Sequence, residues 1–318
     1  LTSRRFWRAA GVAVLAALAA PAPAVAGCSS SSIPRDAPMA LVLSGGGAKG
    51  AYEAGVAAAF VERGLPIRLV AGSSAGALNA AMIASGRADR LEAMWRGITR
   101  EQIYTLRTPV ILAGFLPGWL TLFVLNETSS LFDPAPLRDL ITASLDFDAI
   151  RASPLRLLVT ATDLAGREKR VFDNRTVTVA ALMAASAVPG LFPAVEVDGA
   201  LLVDGGLTGR APVLEALEAD ASLGRAVVVM SYAPTERGAS PTTMRRALEE
   251  SFELIMIQQI RRDTELARFR HPSVDVQLLT PSSPLLLRPL DFDPGAIARL
   301  LALGRADALA CLEAWERK

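Results

Sequence analysis

Histidine is nearly missing from this chain: its 318 residues include one, His271, and only two cysteines, Cys28 and Cys311. So few ligands exclude a metal site built from histidine and cysteine, and nothing else in the sequence asks for a cofactor. Lysine is scarce too, found at Lys49, Lys169 and Lys318, and arginine supplies nearly all the positive charge. Neither sign of charge is in excess. The formal net charge is +1, and residues 1–27 hold Arg4, Arg5 and Arg8 without an acid, which takes the remainder to −2. A nearly neutral body gives no electrostatic basis for nucleic-acid binding. Past residue 27 no apolar run is long enough to span a bilayer; residues 110–125 come nearest and are broken by Pro117-Gly118. Internal repeats and long low-complexity linkers are missing as well, so residues 38–318 read as a single domain with apolar content for a sizeable core.

The N-terminus has a basic start through Arg8, an alanine-rich apolar run over residues 9–20, and then Val25-Ala26-Gly27-Cys28. That order is the order of a secretory targeting segment, assigned here to residues 1–27. Small residues directly before a cysteine resemble a bacterial lipobox, which makes Cys28 the expected lipidation site and membrane anchor, with residues 28–37 as a polar tether. A plain signal peptide or an uncleaved anchor is the simpler alternative. Ser3-Arg4-Arg5-Phe6-Trp7 loosely resembles a twin-arginine export signal. The implied location is the bacterial cell envelope, at the outer membrane or periplasmic face rather than the cytoplasm. Cys311 lies in the apolar helical stretch 300–315 and reads as a small core residue, not as a disulfide partner.

From Pro38 onward short apolar runs alternate with longer helical ones: strands at 40–43 and 69–71, helices at 50–63 and 75–85. Further buried strands are expected at 155–161, 201–203, 226–231 and 274–279, each too short for a helix. This alternation predicts an α/β fold whose mostly parallel sheet is covered on both faces. Residues 243–318 form a C-terminal helical region. In its long helix, over 243–270, Leu248, Phe252, Ile255, Gln259 and Leu266 fall near one face and the charged remainder reads as solvated. Residues 110–125 read equally as a cap over an acyl pocket, a surface that dips into lipid, or ordinary core helix.

Two glycine-lined turns follow the first two strands, Gly45-Gly46-Gly47-Ala48-Lys49-Gly50 and Gly72-Ser73-Ser74-Ala75-Gly76. Parallel strands bring both to one edge of the sheet. Gly45, Gly47 and Gly50 also fit the dinucleotide fingerprint, but no acid stands between Glu62 and Asp89 to bind a ribose; a P-loop fails because Ala51 stands where its lysine belongs. Lys49 reads as a solvated residue at a helix start. Ser74, flanked two residues away by Gly72 and Gly76, has the spacing of a nucleophile elbow and would sit at a helix N-terminus that favours negative charge. Its bland alternative is a serine cap. A serine nucleophile needs a base. His271 would complete a triad in the order Ser74, Asp204, His271, but it precedes Pro272 at a helix end and reads as a C-cap. Asp204, followed by Gly205 and Gly206 after an apolar strand, is the stronger candidate, an ordinary Asp-Gly turn being its alternative.

These residues together resemble the patatin-like phospholipases. The match runs from the Gly45–Gly50 loop with Tyr52 and Gly55, through the elbow at Ser74, to Asp204-Gly205-Gly206. Asp133-Pro134, Thr160-Ala161-Thr162-Asp163, and Ser186-Ala187 through Phe192-Pro193 also look like the family. The resemblance implies a three-layer α/β/α sandwich and a Ser-Asp dyad acting on lipid acyl esters, with Ser74 as nucleophile and Asp204 as base. It further implies an oxyanion hole in the loop of Gly45, Gly46, Gly47, Lys49 and Gly50, and no histidine, metal or cofactor. One departure stands out: the family commonly carries Asn-x-Pro shortly after the aspartate, whereas this chain reads Gly209-Arg210-Ala211-Pro212. A non-catalytic acyl-chain-binding protein is the alternative from a different class.

Overall fold

The computed structural model describes residues 27–234 and 240–316, so the targeting segment expected over residues 1–27 lies, apart from Gly27, outside the described residues. The centre of the molecule is an eight-stranded sheet. Its strands are β1 (Met39–Leu43), β2 (Ile67–Ser73), β3 (Arg156–Asp163), β4 (Glu168–Asp173), β5 (Val195–Val197), β6 (Ala200–Asp204), β7 (Arg225–Val229) and β8 (Asp275–Leu279). They lie in the order β8-β7-β1-β2-β3-β6-β5, with β4 also paired to β3. The five strands from β8 to β3 are mutually parallel, and β4, β5 and β6 join antiparallel.

Every residue of β1 is buried because helices cover both faces. Met39, Leu41 and Leu43 enter one core with α1 (Gly50–Glu62), α2 (Ala75–Ala84), α3 (Val179–Ala185) and α5 (Pro294–Glu316). Ala40 and Val42 point the other way, toward α4 (Met244–Arg270) and the helix Val213–Ala219. The result is the three-layer α/β/α sandwich. None of the described helices is long and apolar enough to cross a membrane.

One pairing decides where the chemistry-bearing residues fall. Strands β2 and β6 share a single edge of β3, approaching from opposite directions, while β4 takes the other edge. Ser73 at the end of β2 faces Thr160, and Asp204 at the end of β6 faces the next residue, Ala161. The two strand ends therefore meet head to head, one residue rise apart, about 3.3 Å along β3.

Several expectations are corrected. Cys311 is joined to Cys28 by a disulfide with Cα atoms 5.2 Å apart. A sulfur so bonded cannot carry a thioether-linked lipid, so Cys28 is not the anchor in this structure. Nor are residues 28–37 a free tether: Ser29 N–H donates to Gln277, Ser31 Oγ to Asp275, and the buried Arg225 guanidinium to Ser31 and the Ile33 carbonyl. In α4 the buried face is Met256, Ile260, Thr264 and Ala267, while Leu248, Ile255 and Leu266 are exposed, because the helix meets the sheet only through its second half. Residues 110–125 are not core helix. They form parts of two short helices, Thr108–Ala113 and Gly118–Glu127, with Ile111, Leu112, Phe115 and Phe123 exposed. Polar strands such as β4 escaped notice because they lack an apolar run.

Candidate active site

Ser74 sits in the turn between β2 and α2 with φ 55° and ψ −134°, a conformation L residues avoid. The turn is tight enough that a Cβ on Gly76 would lie 2.4 Å from the Leu43 carbonyl oxygen and 2.8 Å from the Gly45 nitrogen. Glycine at that position is thus a steric requirement, and the elbow is pressed directly against the glycine loop. Ser74 is 6% exposed at the N-cap of the ten-residue α2, and its hydroxyl accepts no capping hydrogen bond from that helix.

The backbone after α3 ties both residues down. Ser74 N–H donates to the Ala185 carbonyl at 3.0 Å, and Asp204 N–H donates to the Ala187 carbonyl at 2.9 Å. Thr162 Oγ1 adds a bond to the Asp204 carbonyl at 2.9 Å. The Asp204 side chain is buried, and its Oδ1 accepts the Gly206 N–H at 2.7 Å. Oδ2 has no closed hydrogen bond. Burial pushes the Asp204 carboxyl up from the ordinary aspartate range, and the Arg210 charge, the Gly206 N–H and the nearby Ser74 hydroxyl pull against that rise.

In the glycine loop most donors are already engaged. Gly45 N–H goes to Glu53 Oε1 at 2.8 Å, Ala48 N–H to the Pro289 carbonyl at 2.8 Å, and Lys49 N–H to the Gly46 carbonyl at 3.2 Å. Gly50 N–H turns back to Ala48 and Gly47. Among the described residues the N–H groups of Gly46 and Gly47 have no such partner, and Gly46 takes φ 133°, which only glycine adopts freely. Of the five expected oxyanion residues, then, Gly45 gives its N–H to Glu53 of α1, and Lys49 and Gly50 spend theirs inside the loop. The Lys49 side chain is not a solvated helix start either. It is 2% exposed, with Nζ 3.4 Å from Glu253 and 4.4 Å from the Tyr232 ring centre.

Two charged residues here carried no signal strong enough to single out in the sequence. Glu53 is fully buried under the loop, holding Ser44 Oγ and Gly45 N–H, and desolvation raises its carboxyl to about 8. Arg210, noted only as a departure, is buried beside Gly46 and Gly206. In front of these groups lies a cavity of about 600 Å³ whose wall is mostly apolar, with Leu78, Met82, Trp95, Leu137, Phe192 and Met256 among its residues. That size and character suit one acyl chain better than a polar metabolite. Trp95 is fixed by its Nε1–H bond to Asn79 at 2.8 Å.

His271 is not brought to this place. It caps the C-terminus of α4 just before Asp275, which opens β8 opposite Arg225, the first residue of β7. That is the amino edge of the sheet, whereas Ser74 and Asp204 lie at the opposite edge. A triad through His271 is excluded by topology.

The comparisons with known proteins agree with this architecture. The chain belongs to the patatin-like phospholipase family, whose family model matches residues 41–217. It is 35% identical over 223 residues to uncharacterised NTE family proteins of Mycobacterium bovis and Mycobacterium tuberculosis, covering 70% of this chain and 56% of theirs. It is 32% identical over 194 residues to a cGAMP-activated phospholipase of Pseudomonas aeruginosa, covering 55% of this chain and 54% of that one. The chain thus spans little more than half the length of these relatives. Among solved structures, VipD from Legionella pneumophila superimposes with a TM-score of 0.52 at 15% identity, over 91% of this chain and 70% of that one, which is a likeness of fold.

Proposed function

We propose that this protein is a lipid acyl hydrolase working through a Ser74–Asp204 dyad. The observation that carries this is the head-to-head meeting of β2 and β6 on one edge of β3, which puts a strained, buried serine beside a buried carboxylate. Ser74 Oγ attacks the ester carbonyl carbon while Asp204 takes its proton. The free N–H groups of Gly46 and Gly47 receive the oxyanion. Asp204 then gives the proton to the leaving alcohol, and water attacks the acyl-serine by the reverse route, releasing the fatty acid and regenerating both side chains. Family membership and the phospholipase named among the relatives support a lipid ester as substrate. So do the apolar cavity and the exposed Leu112, Phe115 and Phe123, which suit contact with a lipid surface.

The purified protein is expected to release fatty acid from acyl esters and to be labelled at Ser74 by a fluorophosphonate. Labelling that survives Ser74→Ala would overturn the dyad in favour of another nucleophile, and no labelling of the unaltered protein would favour an acyl-chain carrier. The location we propose is outside the reducing cytoplasm, in the cell envelope. The Cys28–Cys311 disulfide and the basic-then-apolar N-terminus support it. Intact mass of protein from its native host, before and after reduction, tests this: a two-hydrogen gain supports the disulfide and the location, a diacylglyceryl adduct on Cys28 supports the location but rules out the disulfide, and two free thiols on unlipidated protein contradict the location.

A further inference from the structure

Among the described charged residues that line the cavity, Arg210 is buried with a donor left unpartnered. It is 3% exposed, yet no carboxylate among the described residues lies within ion-pair distance of it. Its Nη1 donates to the thioether of Met256 at 2.7 Å, and its Nε has no acceptor. Thioether sulfur is a weak acceptor, and a buried guanidinium with unmet donors is costly. The other cation at this end of the cavity, Lys49, is already committed to Glu253 and Tyr232.

The position of the guanidinium is as telling as its lack of partners. Nη2 lies 3.6 Å from where a Cβ on Gly46 would stand, and Nη1 lies 2.9 Å from the same point on Gly206. Arg210 therefore bridges the glycine loop and the aspartate turn at the polar end of an otherwise apolar cavity that Ser74 also lines. Both Asp204 and Glu53 feel its charge without pairing with it.

We infer that Arg210 is an anion subsite that takes the phosphate group of an amphiphile whose acyl chain fills the cavity and whose ester reaches Ser74. A planar guanidinium offers two parallel donors to phosphate oxygens, which a neutral glyceride cannot use. This rests on the hydrolase reading for the ester but not for the binding. The competing account makes Arg210 only a counter-charge for Asp204, and the two differ in what they say about neutral ligands.

Binding is separated from turnover in Ser74→Ala protein titrated calorimetrically with dodecyl phosphate, neutral 1-dodecylglycerol and inorganic phosphate. Dodecyl phosphate is expected to bind at least about tenfold more tightly than either of the others. Arg210→Gln should reduce its preference over dodecylglycerol by roughly 10- to 100-fold, and Arg210→Lys by less. Arg210→Met replaces Arg210→Gln if the latter fails to fold. No preference in the Ser74→Ala protein, an equal loss of both amphiphiles in Arg210→Gln, or inorganic phosphate binding as tightly as dodecyl phosphate overturns the lipid-phosphate subsite. Turnover in protein with Ser74 intact separates this from the hydrolase reading. If a lysophospholipid and a monoacylglycerol are both cleaved and Arg210→Gln lowers both kcat/KM values equally, the subsite fails and the hydrolase stands. If neither is cleaved while the binding preference holds, the hydrolase reading fails and the subsite stands.

Discussion

At the carboxyl edge of the sheet, the turns around Gly46, Ser74 and Asp204 are buried, small-residue segments fixed by backbone hydrogen bonds. By contrast, the helices Thr108–Ala113 and Gly118–Glu127 and the link between them leave Ile111, Leu112, Phe115 and Phe123 exposed to solvent, and the two helices pack mainly on each other. The first region spends its sequence on exact backbone placement; the second presents apolar surface with few fixed partners. Geometry within a few tenths of an ångström matters to a reaction, whereas a surface that meets lipid needs only to be apolar. Substitutions should therefore act on chemistry in the first region and on access to aggregated substrate in the second.

The largest effect is expected at the strand ends. Ser74→Ala and Asp204→Asn should each lower kcat/KM by about 10⁴-fold or more with little change in melting temperature. His271→Ala, at the far edge of the sheet, should retain turnover. Loss of activity in His271→Ala with retention in Asp204→Asn would reverse the assignment. Next, Gly46→Ala forces a side chain onto φ 133° and misaims the free donors, so kcat should fall about a hundredfold while fluorophosphonate labelling slows in parallel.

The pH dependence follows from burial. A base works ionised, and the Asp204 carboxyl is raised, so activity should fall on acidification with a limb above the ordinary carboxylate range. Arg210→Gln removes an opposing charge and should move that limb further up; a limb that stays put would mean that another group controls it. Glu53 acts on stability. Its carboxyl is at about 8 folded and 4.5 when exposed, so the native state binds the extra proton between these values and stability should decline as pH rises across them. The decline is on the order of 4 kcal/mol, and Glu53→Gln should flatten it in urea unfolding series taken from pH 5 to 8.5. The smallest effect belongs to the outer helices: Phe115→Ser and Phe123→Ser should change unfolding free energy by less than about 0.5 kcal/mol. The same pair should slow hydrolysis of vesicle lipid more than that of a soluble short-chain ester, and equal slowing would refute contact with lipid.

Much of the fold was legible because parallel strands buried on both faces must be largely apolar, and 40–43, 157–159 and 226–230 are entirely so. The antiparallel strands Glu168–Asp173 and Val195–Val197 were not, since their side chains alternate with solvent or run too short to be told from loop. For α4 the periodicity suggested a face through Leu248 and Leu266, but packing chose Met256 and Ile260, because an amphipathic pattern says nothing about which neighbour a helix meets. The disulfide was illegible for a related reason: residues 28 and 311 are 283 positions apart, and only the docking of the N-terminal segment on β7 and β8 brings them together.

Sequence alone settled the elbow, because Gly72-Ser73-Ser74-Ala75-Gly76 between a strand and a helix leaves the backbone one sharp way to turn. It also narrowed the base to Asp204 or the single histidine, His271, and left the choice to the topology, which puts His271 at the far edge of the sheet. Tertiary structure alone decided that Asp204 meets Ser74, since that depends on two strands sharing one edge of a third. The same holds for Arg210, whose buried place beside the glycine loop comes from long-range packing that no local pattern encodes.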